Sequence, residues 1–398
     1  MDLIYGLLPL AWPEWLKLAL AAGVPAVILF TFPMALGPLV YTYAERKIAG
    51  FMQDRLGPMR VGPYGLLQSI ADTVKLLFKE AIFPARVDRK LFVLGPCIVV
   101  AGAFMPFAVI PFGEKLQAMD LNVGVFYVTA IASISTVGLI MAGWASNNKY
   151  SLYGAMRGAA QIVSYEIPAV MTMLVPVMIV GSLQMQDLVK VQAGGFQNWM
   201  VFRYFPIMPV AFLVFFLATL AECNRTPFDI PEAESELVGG FHTEYSGFFF
   251  AMFFLGEYTE MFVVSAVGTV LFLGGWYSPF PWAWTNAVTV AGIEIPLGPF
   301  WLIFKVWSLM FVHMWLRWTL PRTRVDQLMY IAWKVLLPIS LVLVVLVGGL
   351  VVWTPTSEGF AWDRVLGPLV AIALLGYLFV AMVVAWRSRA QRVREMAA

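Results

Sequence analysis

Nine stretches of about 20 predominantly apolar residues run through this chain, at roughly 18–44, 91–112, 121–145, 159–181, 205–222, 246–275, 297–316, 331–353 and 364–386. A run of that length, at a rise of about 1.5 Å per residue, crosses the hydrocarbon core of a bilayer as a helix. Lipid offers no hydrogen-bond partners, so a spanning segment must satisfy its own backbone, and unbroken rather than alternating apolar runs select helices over a barrel. The expectation is an all-α, polytopic transmembrane helix bundle, one integral membrane domain over residues 1–398 with a core at 18–353. Composition agrees: 61% of the residues are hydrophobic and only 13% charged, against about 25% charged in a soluble domain. That balance excludes a soluble enzyme and a disordered chain, and a net charge of +2 gives no phosphate-binding surface for nucleic acid. The start carries Asp2, Pro9, Pro13 and Glu14 in place of a basic region, so the first span is expected to stay rather than be cleaved as a signal.

Most of the 26 Lys and Arg residues fall at 46–90, 149–157, 317–334 and 387–394, all on one side of a nine-span arrangement. By the positive-inside rule this side faces the cytoplasm, with the N-terminus outside and the C-terminus cytoplasmic, in an inner (cytoplasmic) membrane. Cys97 and Cys223 stand far apart, outside any Cys-x-x-Cys pair, so no four-thiolate cluster, zinc site or other metal centre is expected on this chain.

The connections on the basic side are long and polar, and function is expected there. After the turn-rich stretch from Leu56 to Gly65, residues 65–82 place Leu66, Leu67, Ile70, Val74, Leu77, Phe78 and Ile82 at helical spacing, with Gln68, Asp72, Lys75 and Lys79 on another face. That pattern predicts an amphipathic helix lying at the membrane interface. The connection at 222–245 holds six carboxylates and one basic residue, Arg225. Were it helical from Pro231, Glu232 and Glu236 would meet as like charges at i, i+4. Glu45, Glu166, Glu222, Glu257, Glu260, Lys305 and His313 lie inside or at the ends of spans. An ionisable group at the bilayer centre costs at least about 2.5–3.5 kcal/mol, so each is expected to face a wet cavity or a partner. Crowded carboxylates in low dielectric cannot all ionise, which makes them candidates for a proton relay. Arg317, Arg322 and Arg324 sit beside Pro321, and one of them is expected to pair with a carboxylate of 222–245.

Blocks of residues then resemble a known family: Glu45-Arg-Lys-Ile-Ala-Gly50, Val61-Gly-Pro-Tyr-Gly-Leu-Leu-Gln68 with Ala71-Asp72, Gly143-Trp144, Ser164-Tyr-Glu166-Ile-Pro168, Asn224-Arg225-Thr-Pro-Phe-Asp229, Pro231-Glu-Ala-Glu-Ser-Glu236, Glu244-Tyr245-Ser-Gly, Glu257-Tyr258 and Pro321-Arg322 with Asp326-Gln-Leu-Met329. In order over roughly 40–340, they resemble the H subunit family of proton-translocating NADH–quinone oxidoreductase (respiratory complex I), the counterpart of subunit 1 of the mitochondrial enzyme. The resemblance implies the membrane part of a quinone-binding chamber, with Arg46, Asp72 and Arg317 along the quinone path. It also implies a proton relay of Glu45, Glu166, Glu222, Glu232, Glu234, Glu236 and Glu257. No cofactor would be bound by this chain: quinone would be the substrate, while FMN, NADH and the iron–sulfur clusters would belong to partner subunits of the soluble arm, beside neighbouring membrane-arm subunits. Ser69 and Glu260 stand where the family pattern implies Pro and Asn, and the span at 364–386 carries no family motif. The alternatives at this stage are the homologous ion-coupling subunit of a membrane-bound hydrogenase complex, an independent secondary transporter, and a structural anchor for a soluble arm.

Overall fold

A computed structural model describes residues 37–114, 116–282, 287–290 and 293–353. Within them α1 covers Gly37–Met52, α2 Gln68–Phe78, α3 Arg89–Phe104, α4 Gly124–Ala145, α5 Lys149–Val180, α6 Ile207–Glu222, α7 Gly247–Phe272, α8 Gly298–Thr319 and α9 Val325–Ile331, which runs through a π turn, Ala332–Leu336, into α10, Leu337–Trp353. Six helical stretches among the described residues are long and apolar enough to cross a membrane, and α6 is a shorter apolar helix of the same kind. The chain is a multi-pass, all-helical membrane protein. A small antiparallel hairpin, Ala287–Val290 with Ile293–Pro296, pairs Thr289 with Glu294. Of the nine expected spans, most of the first (18–44) and all of the last (364–386) lie outside the described residues.

Several boundaries move from their expected places. Helix α1 continues to Met52, so Glu45 and Arg46 are helical rather than part of a loop. Helix α5 begins ten residues earlier than hydropathy suggested. The Asn148 side chain accepts from the Tyr150 amide at 2.9 Å and caps the start, and the helix continues through 149–158 with Ser151, Gly154, Ala155 and Gly158 packed on protein. Its far end closes at Gly181, in a left-handed conformation with φ 76°. The Asp88 carboxylate caps α3 in the same manner, accepting from the Lys90 amide at 3.1 Å.

Small residues hold the bundle together. A Cβ on Gly138 would lie 2.9 Å from the Gly95 carbonyl oxygen, so only glycine lets α3 and α4 approach so closely, as helices in lipid require where no hydrophobic effect drives them together. Buried hydroxyls bond back along their own helices, Thr219 to Phe215 O at 3.0 Å and Thr269 to Ser265 O at 2.8 Å, which satisfies them without water. Tyr41, Phe107 and Phe262 stack through the centre.

Candidate functional site

The three polar connections expected on the basic side meet at one end of the bundle. Thr323 N donates to Pro227 O at 2.9 Å, Ile82 N to Ser246 Oγ at 3.1 Å, and Asn148 Nδ2 to Glu244. Gln161, buried on α5, donates to Ala221 O and Phe228 O, both at 2.7 Å, and so fixes the root of the acidic connection.

Helix α1 carries charges on two faces. On its exposed side Arg46 pairs with Asp72 of α2, and Gln68 donates to the other oxygen of Asp72 at 3.0 Å. On its inner side Glu45, 4% exposed, accepts from Arg225 Nη1 with both oxygens, at 3.0 and 2.9 Å. It also accepts from Tyr258 Oη at 2.7 Å and from Arg317. The Arg225 guanidinium lies 4.5 Å from the centre of the Tyr258 ring, and its Nε is 2.8 Å from Glu257 Oε1. Burial works against the charge on Arg225, but Glu257 and Glu45 outweigh it and raise its pKa well above the ordinary value. Arg225 thus stands between two carboxylates from different helices.

The acidic connection forms a folded loop with one helical turn, Glu234–Leu237, in place of a helix from Pro231. Glu232 and Glu236 therefore part company. Glu236, 58% exposed, pairs with Arg157 at 2.6 Å, whereas Glu232 turns inward, 3.7 Å from His242 Nδ1. Gly240 makes the inward turn: its φ is 62°, and a Cβ there would fall 1.8 Å from Pro231 O. Burial raises the Glu232 carboxyl well above the usual range, and the charges of Glu257 and Asp229 add to this against the opposing Arg225 and Arg317. Burial lowers the His242 imidazole to about 4. Asp229 is raised by burial too, although Arg322 opposes the shift from 2.9 Å away. The Glu234 side chain lies outside the described residues.

Two cavities of about 30 Å³ each continue inward. Glu232, Glu257, Glu260, Asn224 and Ser135 are among the lining of one, and Glu166, Glu222, Glu260 and Thr129 of the other. A site of about 10–15 Å³ suffices for a water molecule. Glu166 accepts a hydrogen bond from Ser133. Glu222, 8% exposed, has neither a hydrogen bond nor an ion pair among the described residues.

Comparison with known proteins sets this geometry in a family. The family model for NADH dehydrogenase matches residues 25–348. The chain belongs to the NADH dehydrogenase family. Relatives named as the H subunit of NADH-quinone oxidoreductase include one from Chlorobaculum tepidum, 53% identical over 340 residues, 83% of this chain and 91% of the relative. Another, from Chlorobium luteolum, is 49% identical over 360 residues, 89% and 94% of the two chains. A third, from Geobacillus kaustophilus, is 47% identical over 343 residues, 86% and 97%.

The NADH dehydrogenase match spans every candidate residue named from the sequence and stops short of the expected span at 364–386. Of those residues, Arg46 and Asp72 face each other directly. Arg317 joins Glu45 inside the bundle, where the two form one cluster. Glu257 and Glu232 share a cavity, as do Glu166 and Glu222, while Glu236 stands apart at the surface. Arg322 is the arginine that reaches the acidic connection, through Asp229, and Arg317 is the one that reaches Glu45. Sequence reasoning passed over Arg225 and Tyr258 as partners of Glu45. The signal for Arg225 was its isolation as the one cation among six carboxylates. Tyr258 gave none, since its partner lies 213 residues away. Ser69 Oγ, at the departure from the family pattern, is buried with no hydrogen-bond partner among the described residues. The two cysteines are free, one exposed and one buried, a donor set that does not suit a thiolate cluster.

Proposed function

We propose that this chain is the membrane subunit of an NADH–quinone oxidoreductase that forms the membrane part of the quinone chamber and couples quinone reduction to proton translocation. The observation that carries the reading is the run of ionisable groups from the exposed Arg46–Asp72 pair, through Glu45, Arg317 and Arg225, to the carboxylates of the two cavities. Arg46 and Asp72 would offer a cation and an acceptor to the quinone headgroup. Glu45 would respond to charge on that side of α1, and Arg225 would transmit the response because it is shared: a weaker hold on Glu45 leaves more of the guanidinium to Glu257. Glu257 would then favour its ionised form and release its proton into the cavity it shares with Glu232.

Electrons would arrive from FMN and iron–sulfur clusters on partner subunits of the soluble arm, and neighbouring membrane-arm subunits would receive the charge signal. The basic connections at one end of the bundle support a cytoplasmic-membrane orientation with the C-terminus inside. The test is Glu222→Gln and Asp72→Asn in the assembled complex. Glu222→Gln should abolish most NADH-driven proton pumping, and Asp72→Asn should lower quinone turnover while assembly stays normal. Wild-type pumping and turnover in both variants would overturn the reading.

A further inference from the structure

We propose that Glu260 is a relay residue that carries protons between the two cavities, a step built into this chain beyond the carboxylates already assigned to the relay. The inference rests on the proton-coupling reading above and adds one residue to it. Glu260 lines both cavities. The other carboxylates divide between the two, Glu232 and Glu257 on one side and Glu166 and Glu222 on the other. Glu257 and Glu260 lie three residues apart on α7, on adjoining positions of one helical face. Across the bundle, Glu222 of α6 lines one of these cavities together with Glu260 and Glu166.

Glu260 makes no hydrogen bond or ion pair among the described residues, and Arg225, the guanidinium that holds Glu257, is committed to Glu45 and Glu257. A carboxyl needed only for packing in lipid would be tied to a donor, as Glu45 is. Glu222 supplies the second observation: an unpartnered acid, 8% exposed, lining the cavity that Glu260 reaches. With Glu166, Glu222 and Glu257 around it and no cation paired to it among the described residues, Glu260 can take a proton from the Glu232–Glu257 side and give it up to Glu222, directly or through water in cavities of sufficient size. Each transfer breaks one O–H bond and forms another; no electron moves, and Glu260 ends as it began.

The experiment uses the assembled complex in proteoliposomes, with quinone reduction and proton uptake followed together, and assembly followed by NADH–ferricyanide reductase activity. Glu260→Gln should lower proton translocation at least about tenfold, a floor below the roughly 10²–10⁴-fold that a positioned acid or base contributes, and Glu260→Asp, which keeps the carboxyl, should restore a substantial part. An equal loss in an assembled Glu260→Asp complex would indicate packing and overturn the inference. Full pumping in Glu260→Gln beside lost pumping in Glu222→Gln would overturn it alone, leaving the relay reading intact. Full pumping in both would overturn the two together. Should Glu260→Gln fail to assemble, the infrared difference spectrum on quinone reduction decides: a carboxylic C=O band that shifts between wild type and Glu260→Asp supports the relay role, and an unshifted spectrum overturns it.

Discussion

Two groups of buried carboxylates lie within the same bundle and are held in opposite ways. Glu45 is saturated: two guanidiniums and a phenol converge on it. Glu222 and Glu260 pair with no cation among the described residues. A carboxylate clamped by guanidiniums keeps its charge and fixes geometry, whereas one left among other acids keeps its proton until something nearby changes. In the proposed relay the first group is a lock and the second a reservoir, and Arg225 connects the lock to Glu257, which lines a cavity with Glu260.

The comparison breaks most visibly if Arg225 is removed. Arg225→Met leaves Glu45 to Arg317 and Tyr258 alone and strips Glu257 of the one ion pair it makes among the described residues, and loss of one partner of such a buried pair costs about 3–5 kcal/mol. The expected outcome is a large drop in melting temperature or in yield of the assembled complex, while Glu222→Gln leaves stability near wild type. Equal stability of the two variants would dissolve the distinction between lock and reservoir.

A smaller effect belongs to His242, at the edge of the reservoir beside Glu232 and Phe250. Its folded value of about 4 lies below the ordinary 6.5, so the unfolded chain binds the proton first as pH falls. Stability is therefore complete above 6.5 and is lost on acidification toward about 4, at up to about 1.4 kcal/mol per pH unit. Melting curves at a series of pH values should show this acid lability in the wild type and a flatter profile in His242→Phe; parallel profiles would remove His242 from the account.

The smallest effect is expected at the surface. Glu236, paired with Arg157 but 58% exposed, should lose no more than about 1 kcal/mol of stability as Glu236→Gln, the usual worth of a solvated ion pair. A larger loss on thermal unfolding would mean that the acidic connection works as one unit rather than as an inner and an outer half.

The spans within the described residues were legible because about 20 apolar residues in a row have one solution in lipid. Motif blocks identified the family, and the same blocks contained most of the residues that meet at the site. Sequence could not say which of them meet. Arg225 reaches Glu45 across 180 positions, and that pairing follows from how α1 packs against the acidic connection rather than from local pattern. The start of α5 was hidden for a related reason, since Ser151, Gly154, Ala155 and Gly158 pack on protein there while hydropathy counts the stretch as loop. Glu260 stood out as a departure from the family pattern, yet its position between two cavities is a fact of three dimensions.

The interfacial helix α2 leaves Ile70, Val74, Leu77 and Phe78 between 45% and 87% exposed. An isolated copy carries this greasy strip with nothing among the described residues to cover it. Biogenesis is then a matter of timing: until lipid or an assembly partner covers α2, the newly made subunit carries an apolar strip open to aggregation.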